Sequence, residues 1–247
     1  MNATTTPAPV PPEDQSPYWA GPGYWDRRHA AKLREIAAGP REYDCVFIGD
    51  SITHNWEGWS DPADVAAVAA AYASGELKFP NGPGRAVWDE LRRKFSLLNL
   101  GVGGDKTQNV LWRIAHGELD GYSASLVSLM IGTNNAEDSP EDRADGIRAV
   151  VRAIAGKQPS ATILLTPIFP TGPTRDDPGR ISREKTNRLV RDLASGGRVV
   201  WLDFNDRFLG PDGSLSPAMM PDLLHPLEAG YRIWADALLP HLLRASH

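Results

Sequence analysis

The sequence predicts an α/β protein, a three-layer α/β/α sandwich built on a five-stranded parallel sheet. Three observations lead there. Five short apolar runs have the length and composition of buried strands, helix-like stretches separate them, and three of the four turns after the first four runs combine glycine with small polar side chains. Strands buried on both faces read as continuous apolar runs rather than as alternation. Strand–helix alternation at this spacing implies βαβ units with right-handed crossovers, which cover both faces of the sheet.

The elements follow in order. Met1–Gln15 lies in a Pro/Thr-rich stretch, Thr-Thr-Thr-Pro-Ala-Pro-Val-Pro-Pro, with too little apolar content to fold. Residues 1–18 are therefore expected to form an extended or disordered tail, and residues 19–247 a single domain. A helix over Trp25–Ala37 precedes the first strand, Tyr43–Ile48. The remaining strands are expected at Ser96–Leu100, Ser125–Ile131, Ala161–Thr166 and Arg198–Asp203. The helices between them fall at Trp88–Arg93, Thr107–His116, Pro140–Ala155 and Ile181–Ala194, with Leu227–Leu243 closing the chain.

Composition narrows the function classes. The 247 residues carry 26 Lys+Arg against 31 Asp+Glu, a formal charge of −5, which offers no field for nucleic acid or anionic lipid. No apolar run is long enough for a membrane span. The single cysteine, Cys45, can make neither an internal disulfide nor a Cys-based zinc site, and beside Val46-Phe47-Ile48 it reads as a small buried hydrophobe. The N-terminal stretch lacks the basic start and apolar run of a secretory signal. Two compartments fit it: the cytoplasm as written, or a secreted or periplasmic location if it is a spacer left behind a signal segment.

In an open parallel sheet, ligands sit outside the carboxyl ends of the strands. That directs attention to Gly49-Asp50-Ser51, Gly101-Val102-Gly103-Gly104-Asp105, Gly132-Thr133-Asn134-Asn135 and Pro167-Ile168-Phe169. Ser51 should open a helix beside backbone N–H groups able to bind an anion, although serine and aspartate there also read as simple helix caps. Asp222-Leu223-Leu224-His225 places a carboxylate and an imidazole three residues apart. The carboxylate can orient the ring and leave Nε2 free as a base; the alternative is a surface pair capping the last helix. His54 lies close to Ser51 but has no orienting acid at comparable spacing, and is kept as a rim residue. His29 reads as helix surface, and His241 and His247 lie at the chain end. Asn134 offers an amide donor, and the glycines of 101–104 allow close backbone approach, or merely a tight turn. A dinucleotide-binding Gly-x-Gly-x-x-Gly fails because Lys106 stands at the third glycine.

These four blocks, Gly49-Asp50-Ser51-Ile52, Asn99–Asp105, Gly132–Asn135 and Asp222–His225, resemble in order the sequence blocks of the SGNH (GDSL) hydrolases. The run Gly104–Ile114 with Gly117-Glu118-Leu119 looks like the branch of platelet-activating-factor acetylhydrolase catalytic subunits and their bacterial relatives. The resemblance spans about Trp25 to Leu242. It implies an SGNH/flavodoxin-like fold with Ser51 as nucleophile, His225 as base and Asp222 orienting it. It also implies an oxyanion hole from the N–H groups of Ser51 and Gly104 and the side chain of Asn134, and it selects Gly104 over Gly103.

Ser51 lies 50 residues before Gly101, farther than in compact members of that branch. The extra piece, at about 60–84, is read as a lid or substrate wall, with a plain surface insertion as the alternative. As a lid or wall, its deletion should change substrate preference more than stability. Asp50, His54, Trp56 and Phe169 are the weaker candidates for substrate contact; Trp56 and Trp59, just beyond Ser51, could be platforms for a sugar ring or acyl chain and otherwise read as packing. The expected activity is a serine esterase removing short acyl groups, acetyl first, from an O-acetylated carbohydrate, with no cofactor and no metal. The expected partner is a small-molecule or carbohydrate ester, without nucleic acid or a membrane span, and self-association stays open. Lipid or thioester hydrolysis, a binding module on the same fold, and metal-assisted phosphoester hydrolysis through Asp50, His54, Asp105, Asp222 and His225 are the competing readings. The last lacks the Asp-x-His and Gly-Asn-His clusters of dinuclear sites.

Overall fold

The computed structural model describes residues 2–15 and 20–245. Strands β1 (Glu42–Gly49), β2 (Leu97–Gly101), β3 (Ser123–Met130), β4 (Thr162–Leu165) and β5 (Val199–Trp201) form one all-parallel sheet in the order β2-β1-β3-β4-β5. The chain leaves β1 to make β2 on one side, then returns to make β3 on the other. The crevice between β1 and β3 is thus the topological switch point, where open α/β sheets take their ligands. Register sharpens this: Gly49 pairs with both Gly101 and Met130, so the turns after these three strands start at one level.

Side chains alternate across the sheet, as a strand's period of two requires. Val46 and Ile48 of β1 point into a core shared with α1 (Tyr24–Ala38), α5 (Thr107–Arg113) and α6 (Pro140–Lys157), with Val190 of α7 (Pro178–Val190) closing its edge. Cys45 and Phe47 point the other way, against α4 (Arg85–Arg92) and α8 (Glu228–Ala245), where Trp88, Trp234, Leu238 and Leu242 are buried. Both faces are covered, giving the three-layer architecture expected from sequence. Cys45 is fully buried, and burial pushes its thiol far above the usual range.

Several expectations need correction. The segment near 60–84 carries a helix that the sequence reading did not place: α3 (Pro62–Ser74) starts at Asp61, whose carboxylate accepts the Ala63 N–H at 3.0 Å, and stops at Gly75 in the left-handed conformation. Its Val68 and Ala71, with Leu77 and Phe79 beyond, bury against Tyr24 and Trp25 of α1 in a third apolar cluster. Deleting it would uncover that cluster, so the deletion carries a stability cost that the sequence reading did not anticipate. The tail also departs from expectation. Thr4 is buried; its hydroxyl donates to the Asp142 carbonyl at 2.7 Å and its carbonyl accepts from the Thr107 hydroxyl at 2.9 Å. The Ala8 N–H and carbonyl bond to Gln108 and Asn109. Residues 3–5 form a short 3-10 turn, and prolines at positions 7, 9, 11 and 12 restrict the chain beyond it, so less freedom is lost when its carbonyls find donors on a helix. The tail's far boundary, residues 16–19, and His247 lie outside the described residues.

Candidate active site

The turn that carries Ser51 is set by steric closeness at its entrance. A Cβ on Gly49 would run into the Thr53 side chain and the Met130 carbonyl, so only glycine lets β1 end this near β3. Asp50 then caps the one-turn helix α2 (Ser51–His54), its carboxylate accepting the Ile52 N–H at 3.0 Å. Ser51 becomes the first helical residue, with its side chain over the strand ends. Asp50 is fully buried, and burial pushes its carboxyl up to about 6 against the opposing pull of the Ile52 N–H and His225.

Across 174 residues of sequence, the Ser51 hydroxyl lies 2.8 Å from Nε2 of His225. Nδ1 of the same ring lies 2.6 Å from Oδ2 of Asp222. The other Asp222 oxygen accepts the N–H groups of Leu224 at 3.1 Å and His225 at 2.7 Å. Burial works to raise the Asp222 pKa, but the His225 ring and these two N–H groups outweigh it and hold the carboxyl below the usual range. The intervening Leu223 has φ 58°, the one positive-φ residue other than glycine among the described residues. The Gly172 N–H fixes this turn by donating to the Leu223 carbonyl at 3.2 Å. The loop after β4 therefore borders the site by holding the histidine turn. Arg180 braces that loop, donating to the Thr171 carbonyl at 2.9 Å and the Gly172 carbonyl at 2.6 Å. Strain of this kind persists only where surroundings over-determine it.

The third side is the turn after β2. Gly104 is exposed and left-handed at φ 81°, and the Tyr24 hydroxyl donates to the Gly103 carbonyl just before it. Asn134, at the end of β3, donates one amide hydrogen to the Asp105 carbonyl at 2.9 Å, which orients the amide and leaves its second hydrogen available. Under this turn runs a buried charge network that sequence reasoning missed. Asp105 accepts from Trp25 Nε1 at 2.6 Å and Arg113 Nε at 2.8 Å, Arg113 also pairs with Glu118, and Glu118 meets His29 Nδ1 at 2.7 Å. His29 is thus a network member, not helix surface. Burial pushes the Asp105 carboxyl up to about 6 despite Arg113.

The weaker sequence candidates fare differently. Trp56 is fully buried, its ring 4.9 Å from Tyr231 and 5.3 Å from Trp234, and Phe169 packs on Phe208 at 4.8 Å and Trp234 at 5.3 Å. Neither reaches the site; both are core. His54 is not on the rim but buried, its ring 4.3 Å from Trp59, at the floor of a cleft of about 370 Å3 between α1 and the start of α3. Burial, with Arg28 and Lys32 nearby, pushes its pKa well below the usual histidine range. Of the five residues drawn as metal ligands, Asp105, Asp222 and His225 are held in the contacts described above, and among the described residues no three His, Cys, Asp or Glu side chains converge as a metal site. Among those residues, no helix is long and apolar enough to cross a membrane. Phe79 is the residue that sequence reasoning overlooked. It is buried, and its ring centroid sits 4.5 Å from that of His225. No local pattern could have signalled a contact between segments that far apart.

Comparison with known proteins shows what the chain as a whole is similar to. The family model of the GDSL-like Lipase/Acylhydrolase family matches residues 47–233. The chain is 31% identical over 250 residues to platelet-activating factor acetylhydrolase IB subunit alpha1 of Pongo abelii, covering 99% of this chain and 93% of that protein. It is 37% identical over 146 residues to subunit alpha2 of Rattus norvegicus, covering 59% and 63%. Among solved structures it is similar to a GDSL-like lipase from Bacteroides thetaiotaomicron, with TM-score 0.60 at 16% identity over 88% of this chain and 98% of that one. An acetyl xylan esterase from Geobacillus stearothermophilus gives TM-score 0.54 at 25% identity over 83% and 95%.

Proposed function

Because the chain belongs to the GDSL-like lipase/acylhydrolase family, we propose that it is a serine carboxylic-ester hydrolase with Ser51 as nucleophile, His225 as base and Asp222 as its orienting acid. The observation that carries this reading is the unbroken chain from the Ser51 hydroxyl through both His225 nitrogens to Asp222. Ser51 Oγ attacks the ester carbonyl while Nε2 takes its proton. The tetrahedral oxyanion is met by the N–H groups of Ser51 and Gly104 and the free amide hydrogen of Asn134. The protonated ring then returns its proton to the departing alkoxide as the carbonyl reforms, leaving an acyl-serine. Water, deprotonated by Nε2, attacks that acyl group and releases the acid, with Ser51 Oγ recovering the proton. Asp222 suits its role because it stays ionised beside the imidazolium that forms in each half-reaction.

The acyl group is short, acetyl first, and the alcohol portion is a carbohydrate hydroxyl, so that the substrate is an O-acetylated carbohydrate. Support comes from the relatives: both mammalian proteins are named acetylhydrolases, and one structural neighbour is an acetyl xylan esterase. The test is hydrolysis of p-nitrophenyl acetate, butyrate and octanoate by wild type and Ser51→Ala, followed by acetate release from acetylated xylooligosaccharides. Preference for acetate that vanishes in the variant, with acetate released from the sugar, is expected. A maximum at octanoate would replace the short-acyl assignment with a lipid or thioester substrate.

A further inference from the structure

Two hydrogen bonds hold the His225 ring, one at each nitrogen. They fix an axis running from Asp222 to Ser51 and resist roll of the ring about it only through the directionality of the bonds. Roll tilts the Nε2 lone pair away from the serine proton and the Nδ1–H away from Asp222. A contact on the ring face is what removes this freedom. Phe79 makes one, with centroids 4.5 Å apart and planes inclined by 41°.

Phe79 is itself immobilised. It is 1% exposed and packs in the cluster of Tyr24, Trp25, Trp59, Leu77 and Val102. Just beyond it, the Asn81 side chain accepts the Trp59 N–H at 2.8 Å and donates to the Trp59 carbonyl at 3.1 Å, pinning the loop. The Gly84 N–H closes the segment on the Asn55 carbonyl at 3.1 Å. The extra segment near residues 60–84 is thereby built into the fold, and its buried aromatic ends on the histidine.

From this we propose that Phe79 is a positioning residue for catalysis: the segment near residues 60–84 works as a fixed wall that sets the plane of the His225 ring. The inference rests on the reading of His225 as the base. Phe79 touches no reacting atom; it acts through the imidazole alone.

The test compares wild type, Phe79→Leu, Phe79→Ala and His225→Ala on p-nitrophenyl acetate, with circular dichroism and thermal melts to establish folding. Leucine keeps the apolar bulk and removes the flat ring, so it carries the test if the alanine variant does not fold. The expected result is a folded Phe79→Leu protein with kcat lowered about 3- to 10-fold and KM within about 2-fold of wild type. The low-field proton resonance of His225 Nδ1–H is expected to be sharp in wild type and to broaden by exchange in Phe79→Leu as the ring rolls. Wild-type kcat with an unchanged resonance in Phe79→Leu overturns the proposal, as does a loss confined to KM. If His225→Ala retains activity, the catalytic reading itself fails, and that outcome is distinguishable because it does not depend on Phe79.

Discussion

Two carboxylates flank the Ser51–His225 pair in nearly the same local setting, yet their ionisation is pushed in opposite directions. Asp50 accepts the N–H two residues ahead, and Asp222 accepts the N–H groups two and three residues ahead. Both are caps on short turns at the mouth of the sheet. Asp50, however, is sealed behind the strand ends, close to a second buried acid, Asp105, and its carboxyl is raised to about 6. Asp222 is partly solvated and shares a short hydrogen bond with an imidazole, and is lowered. The cap is common to both, so it does not decide protonation; burial and the partner do. Asp50 is a structural group that shapes the turn carrying Ser51, and Asp222 is the acid able to support charge on His225.

Asp222→Asn should produce the largest effect that separates the two. Without the carboxylate the ring takes the wrong tautomer, and kcat on p-nitrophenyl acetate should fall roughly 10⁴-fold. A loss under tenfold would place Asp222 among the caps after all. Next comes Asn134→Ala, which removes a donor from the oxyanion side and should lower kcat by about 10²–10³ with a smaller change in KM. An unaltered kcat would take Asn134 out of the reaction.

The stability of the two sites should respond oppositely to pH. A carboxyl whose pKa is higher folded than unfolded binds protons more tightly in the native state. Its contribution is therefore most favourable below the ordinary carboxylate range and declines as pH rises through about 6. Asp50→Asn removes that decline while keeping a capping oxygen. The variant should melt above wild type at pH 7, by on the order of 3 kcal/mol before losses in fit, and the two should converge toward pH 4. Asp222 has the reverse sign: its contribution is complete above the ordinary carboxylate range and disappears as pH falls through the lowered value. Equal shifts at both pH values for Asp50→Asn would show that its carboxyl is not raised. The smallest effect expected is at Leu223, where a β-branched residue fits the left-handed region badly. Leu223→Val should cost about 1–3 kcal/mol in denaturant melts, with Leu223→Gly near neutral.

Much of this was legible before any coordinates. Parallel strands covered on both faces must be apolar throughout, so all five runs stood out, displaced from the observed strands by one or two residues at most ends. Ser51 stood out as a small polar residue just past a buried strand, and Asp222 with His225 as a carboxylate and an imidazole three residues apart. Side-chain direction was not readable. Trp56 and Phe169 sit next to site residues in sequence but point into the layer beneath α8, since neighbours along a chain face different ways. Helix α3 was hidden by its alanines, which blur helical periodicity, although Asp61-Pro62 with Gly75 marked its two ends. The Asp105–Arg113–Glu118–His29 network and the Phe79–His225 contact depend on tertiary approach, which no single segment encodes.

The central claim, that Ser51 is the nucleophile activated by His225, is tested most directly with diethyl p-nitrophenyl phosphate and peptide mass mapping. Attack by Ser51 Oγ expels p-nitrophenolate and leaves one diethylphosphoryl group on the serine, where it is too stable to hydrolyse quickly. The expected result is a single adduct on the peptide containing Ser51, formed far more slowly in His225→Ala and absent in Ser51→Ala, with loss of activity tracking labelling. Labelling at another residue, or an adduct that forms equally in Ser51→Ala, would contradict it.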